Sequence, residues 1–168
     1  MKHSIIIWQV GGITFSAILG TILHFLYEWT GLEFISTISA VNESTWEHMK
    51  LLFFPTFFYA IVQWFFFRKE YNNFWWIKVL GITVGLITIP VLFYTYNGAI
   101  GLSPDWYNIL TFFIALFHCY FIEYLLFKKN KLIKKLNFIP FIILSSIAIL
   151  FVVFTFSPPN LPLFISPV

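Results

Sequence analysis

The 168-residue sequence predicts an all-α fold: a polytopic membrane helix bundle of five transmembrane helices, forming a single domain over residues 1–168. Three observations predict it. The chain is 60% hydrophobic and only 10% charged, where a soluble domain carries about 25% charge. Five apolar segments each reach the roughly 20 residues needed to cross the hydrocarbon core as a helix. Tryptophans sit at the ends of those segments, as interfacial anchors do.

The first span covers about 5–28. Its apolar run from Ile5 to Leu26 is too long for a signal-peptide core and no small-residue cleavage pattern follows it, so it is expected to stay in the mature protein. The other spans are expected at 46–67, 74–96, 106–127 and 136–156, with Trp29, Trp46, Trp75, Trp76 and Trp106 near their ends. Cys119, the only cysteine, lies inside an apolar run and supports no disulfide framework.

Charge sets the expected orientation. Lys2, Arg68, Lys69, Lys78, Lys128, Lys129, Lys131, Lys134 and Lys135 fall on one side, nine of the ten basic residues. The positive-inside rule makes that side cytoplasmic, with the amino terminus inside and the carboxyl terminus outside. Cations flanking apolar spans point to the lipid bilayer as partner and not to nucleic acid. Glu28, Glu33, Glu43, Glu47 and Asp105 fall on the opposite, outer side, leaving Glu70 and Glu123 within. Glu123 is expected to reach the lysines near the cytoplasmic end.

Within the spans, Gly12, Ser16 and Gly20 form a small-residue stripe, and Gly81 with Gly85 forms a second. Such stripes let helix backbones approach closely. Packing inside the bundle is the plain reading; a partner membrane protein or a second copy is the other. Thr14, Thr21, His24 and Glu28 make a polar stripe on span 1, where His24 and Glu28 stand at i and i+4 and can pair. Span 2 opens Asn42-Glu43-Ser44-Thr45-Trp46-Glu47-His48. Ser44 and Glu47 have the spacing of a capping box, in which Gln would serve as well as Glu at position 47. Glu43 precedes the cap and is free to face a pocket; Lys50 is expected to pair with Glu47 or Glu43. Thr83, Pro90, Tyr94 and Asn97 line one face of span 3, with a kink expected at Pro90. Tyr107, Thr111, Ala115 and His118 align on span 4. His118, 12 residues past Trp106, is roughly 18 Å along the helix and near the midplane.

Four polar stripes rising to one leaflet predict a hydrated outer pocket, because ionisable groups inside a membrane line cavities or pair. Its expected lining is His24, Glu28, Glu43, Glu47, His48, Asn97 and His118. His24, His48 and His118 are the candidate ligands for a divalent metal ion such as zinc.

The stretch AVNESTWEHMKLLFFP (Ala40 to Pro55) and the ending FTFSPPNLPLF (Phe154 to Phe164) resemble an uncharacterised family of small bacterial multi-pass membrane proteins, a domain of unknown function. The resemblance implies the span order and a bacterial cell-membrane location, and brings no activity. Pro158, Pro159 and Pro162 predict an extended tail after the last span, running over the outer face and the pocket.

Three function classes fit these features. One is binding of a cation or small polar ligand in the outer pocket, although no HxxxH or CxxC pair occurs and five spans do not divide into the repeats usual in transporters. Another is an intramembrane metal-assisted hydrolase acting on a lipid or lipid-linked substrate, with Glu43 or Glu47 as general base. The third is a scaffold or immunity-like partner of another membrane protein. No nucleophile elbow or phosphate loop is present.

Overall fold

A computed structural model describes residues 4–129 and 138–166. The order is α1 (Ile5–Thr30), α2 (Glu33–Ser36), α3 (Thr45–Phe67), α4 (Phe74–Ala99), α5 (Asp105–Lys129), α6 (Phe138–Phe156) and a closing 3-10 turn (Pro162–Phe164). All helices but α2 are long and apolar enough to cross a membrane, at 19 to 26 residues. In lipid a backbone must satisfy its own hydrogen bonds, and a helix does so. The protein is therefore a multi-pass membrane helix bundle, with no strand among the described residues. Lys131, Lys134, Lys135 and the start of the fifth expected span lie outside the described residues.

The ends of the helices follow local chemistry. Gly31, at φ 61, closes α1 by donating its N–H to the Tyr27 carbonyl; a Cβ would be strained in that left-handed conformation. Ser44 opens α3, its hydroxyl accepting the Glu47 N–H at 3.4 Å. α4 runs unbroken through Pro90, so the expected kink does not interrupt the helix. The turn α2 was not foreseen.

α3 is the central helix, packed by α1 on one flank and by α4 and α6 on others, while α4 and α5 make the most extensive pairing. Side chains such as Ile7, Ile18, Phe65, Val91 and Ile149 point outward and stay exposed, the surface a bilayer would cover. Both glycine stripes are packed inside the bundle. A Cβ on Gly12 would overlap the rings of Tyr120 and Tyr59, and one on Gly81 would overlap Glu123. Ser16, between Gly12 and Gly20, shares a hydrogen bond of 2.7 Å with the Tyr120 hydroxyl. The faces expected for a partner or second copy are thus already covered by α5 and α3.

Among the described residues, two ion pairs are buried in the bundle. Lys78, counted above among the loop cations, is 0% exposed and its Nζ lies 2.5 Å from Glu123 Oε2. Glu123 therefore pairs across α4 and α5 rather than with the lysines at the helix end. Lys50 Nζ lies 2.5 Å from Glu47 Oε2 and also donates to the Ser36 carbonyl at 2.8 Å and the Thr155 hydroxyl at 2.9 Å. Glu47 Oε2 accepts the Val41 N–H at 3.1 Å. One buried pair thus ties α2, the loop after it, α3 and α6 together. The carboxylate reaches back past Ser44, whose own N–H is taken by Asn42 Oδ1 at 2.9 Å, so the capping box is only half formed.

The proline-rich tail does not cover the pocket. Phe164 packs at a tilt against Trp46, ring centroids 4.8 Å apart, and edge-on against Phe154 at 5.5 Å, on the α6 flank of α3. Trp46 is a large apolar ring at the helix start, and burying it there holds the tail away from α1 and α5.

Candidate metal centre

The site lies where α1 ends and α3 and α5 begin. Its first part is a splice between the loop after α2 and the last turns of α1. Ser39 Oγ donates to the Leu23 carbonyl and accepts the Tyr27 N–H, while the Ala40 N–H also reaches Leu23 O. A hydroxyl inserted between carbonyl 23 and amide 27 fixes the turn of α1 that carries His24. From there the chain needs only Val41 and Asn42 to reach Glu43.

His48 stands in the first turn of α3. Its Nδ1 is 3.1 Å from the Ser44 carbonyl, which only accepts, so Nδ1 carries the proton. That leaves Nε2 as the ring's other donor atom, 3.3 Å from Glu43 Oε2. A metal-ligating histidine is commonly oriented by such a bond from its second nitrogen. His24 Nε2 lies 3.9 Å from Glu43 Oε1, and its Nδ1 is buried without a partner. The two imidazole rings are 5.6 Å apart. One donor atom from each of His24, Glu43 and His48 falls within 4.8 Å of the others. The hydrogen bond from His48, and the positive charges His48 and His24 can carry, hold the Glu43 carboxyl below its usual range, against burial, which raises it.

Two cavities meet at this cluster. One, about 290 Å³, extends between α3, α4 and α5 past Thr45, Ser103, Asn108 and Thr111. The other, about 550 Å³, runs between α1 and α5 past Gly20, Thr21, Phe25, Ile109 and Phe113. Glu43, His48, Asp105, Asn108 and Phe112 line both.

The remaining expected residues lie elsewhere. Glu28 is exposed and forms no hydrogen bond or ion pair among the described residues; the carboxylate nearest His24 is Glu43, brought in by the loop. Glu47 faces Lys50 on the α6 flank. His118 Nδ1 lies 3.2 Å from the Thr88 hydroxyl, which itself donates to Val84 O at 2.8 Å, so the ring donates to Thr88. That bond holds His118 between α4 and α5, apart from the cluster. Asn97 closes the α4–α5 turn, accepting the Ser103 N–H at 2.8 Å and donating to Phe93 O at 2.8 Å. It is linked to the cavity through Phe93 and through Ser103, whose hydroxyl donates to Asn108 Oδ1 at 2.8 Å.

Sequence reasoning missed Asp105, Asn108 and Ser103 as lining residues. The signal was present: Asp105, Asn108 and Phe112 follow i, i+3, i+7 spacing, one helix face. The alignment of Tyr107, Thr111 and His118 drew attention to the neighbouring face.

Fold and site together define a polytopic α-helical membrane protein with a histidine–carboxylate cluster at one end of its bundle. The chain belongs to the Family of unknown function (DUF6512), which it matches over residues 1–168. No curated protein and no solved structure matches the chain.

Proposed function

We propose that this is a bacterial cell-membrane protein that binds a divalent first-row cation, such as zinc, at its outer face through His24, Glu43 and His48. The observation that carries the reading is the convergence of two imidazoles and a carboxylate from α1, a loop and α3, with donor atoms within 4.8 Å of one another. A tetrahedral zinc site with ligands near 2.1 Å sets donors about 3.4 Å apart. One donor atom from each residue lies within 4.8 Å of the others, and side-chain rotation would bring the three to that spacing. The fourth position faces the cavities, where water or a small polar ligand completes the shell. A protonated His48 bridging Ser44 and Glu43 would satisfy the same contacts, so binding is the deciding measurement.

The experiment is element analysis of detergent-purified protein, followed by zinc titration of wild type and of His24→Ala, His48→Ala and Glu43→Gln. Near-equimolar metal is expected, with each variant weakened by at least roughly tenfold, about 1.4 kcal/mol. No bound metal, together with identical titrations of all four proteins, defeats the reading.

A metal-assisted hydrolase acting on a lipid is the second reading, and Asp105 favours it. Glu47 is committed to Lys50 and Glu43 to the histidines, whereas Asp105 lines both cavities and would serve as general base. Turnover of a lipid ester, lost in Asp105→Asn with metal retained, would establish it. No observation favours the scaffold reading.

A further inference from the structure

We infer that the two cavities form one amphiphile site, which holds a membrane lipid with an uncharged, hydroxyl-bearing headgroup of the acylglycerol class. The longer cavity is built as a chain slot. It follows α5 from Asp105 to Phe113, eight residues or about 12 Å, from the loop end toward the middle of the helix. Beyond the polar end at His24, Glu43, His48, Asp105 and Asn108, its walls are apolar except at Thr21, whose hydroxyl is bonded to the Ala17 carbonyl. Phe25, Ile109 and Phe113 on its rim are 39%, 59% and 45% exposed on helices that lipid surrounds, so a chain can enter sideways from the bilayer.

The shorter cavity is the polar lobe, continuous with the slot at Asn108 and Asp105. Thr111 is 3% exposed there, and its hydroxyl has no hydrogen-bond partner among the described residues. A buried hydroxyl left unpaired is costly, and a ligand hydroxyl would pair it. Charge selects the headgroup. Among the described residues no lysine or arginine lines either cavity, whereas Glu43 and Asp105 line both. A phosphate would meet the carboxylates of Glu43 and Asp105, while the imidazoles of His24 and His48 already face Glu43; a glycerol hydroxyl finds acceptors at Asp105 and Asn108 and a partner at Thr111. The inference deepens the cation reading and rests on it only in placing the headgroup beside that centre.

The test is photo-crosslinking of the full chain in nanodiscs with a monoacylglycerol carrying a diazirine in its chain. Peptide mapping should place adducts on α1 between Thr21 and Phe25 and on α5 between Ile109 and Phe113. Unlabelled monooleoylglycerol should displace the probe, and phosphatidylglycerol should not. Ile109→Trp fills the slot from a lipid-facing position that folding tolerates and should cut labelling roughly tenfold, and Thr111→Val should weaken displacement about fivefold, the scale of one lost hydrogen bond. Adducts spread evenly over the lipid-facing side chains, or equal displacement by phosphatidylglycerol, would mean surrounding lipid only and overturn the inference. Zinc titration on the same samples separates the two readings. Retained zinc binding without mapped labelling defeats the lipid site alone; mapped labelling without zinc binding defeats the cation reading alone.

Discussion

Replacing Glu47 by Gln separates two accounts of the α3 start. If Glu47 only capped the helix, Gln would accept the same N–H and stability would barely change; even Ala would cost only the roughly 0.5–2 kcal/mol of a lost cap. The structure gives Glu47 a different task. It faces a fully buried Lys50 ammonium at 2.5 Å, and the remaining partners of Lys50 are a carbonyl and a hydroxyl, both uncharged. Removing the charge leaves an ammonium in a low-dielectric site without a counter-ion. Breaking such a pair costs about 3–5 kcal/mol, which lowers the melting temperature of a chain this size by roughly 6–20 °C. The assay is a thermal melt in detergent, followed by size-exclusion chromatography, on wild type, Glu47→Gln, Lys50→Met and the double change Glu47→Leu with Lys50→Met. Each single variant should melt far below wild type, and the double should recover most of the loss because no lone charge is left. Because Glu47 also holds the Val41 N–H, the double change, which removes that acceptor, should weaken zinc binding at Glu43 as well. A Glu47→Gln protein that melts within about 2 °C of wild type, well under the shift of a broken pair, refutes the reasoning.

Other outcomes follow from the packing and the charges. Gly12→Ala should destabilise by about 1–3 kcal/mol, the cost of overpacking, because the new Cβ overlaps Tyr120 and Tyr59; an unchanged melt would mean that α1 and α5 are not in contact there. Folding depresses the Glu43 carboxyl below its ordinary 4.5, so its stabilisation is present above that value and is lost as pH falls through the folded value. Glu43→Gln should therefore flatten the acid limb of the stability curve below pH 4.5, and identical limbs would remove Glu43 from the linkage. Zinc must displace protons from imidazole, so affinity should fall with acidification by up to two decades per pH unit with both rings charged; a pH-independent titration would exclude the histidines as ligands. For orientation, Glu33→Cys, at an exposed position on the same side as Ser44, should react with an impermeant thiol reagent in intact cells and Lys131→Cys should not, and the opposite pattern would turn the site toward the cytoplasm.

The spans were legible because lipid leaves the sequence little choice: a run of apolar residues long enough to cross must be helical. The pairing of polar groups was less legible, for a geometric reason. Periodicity relates residues on one helix, so it offered Glu28 as the partner of His24. The actual carboxylate arrives on a loop, 19 residues later in sequence at Glu43, and its position depends on Ser39 bonding to α1. Lys78 illustrates the same limit. At the start of a span it reads as an interfacial cation, and only packing against α5 reveals that Glu123 buries it. His118 aligned with Thr111 by spacing, yet Thr88 on the adjacent helix decides where its ring goes. Glu43, by contrast, was legible as the acid free of the cap, since its place before Ser44 follows from the chain alone.

The Ser39 hydroxyl, set between Leu23 and Tyr27, has a consequence for ion choice. The short segment from Ser39 to Ser44 is stapled to α1 at one end and, through Val41 and Glu47, to α3 at the other. Three donors mounted on so stiff a frame can close on a cation only by turning their side chains. Small ions content with four ligands suit that limited travel. Calcium, which gathers six to eight oxygens at 2.3–2.6 Å through a flexible loop, does not. At the proposed cation site the splice would act as a caliper, rejecting a cation by its size and appetite for oxygen before any charge is compared.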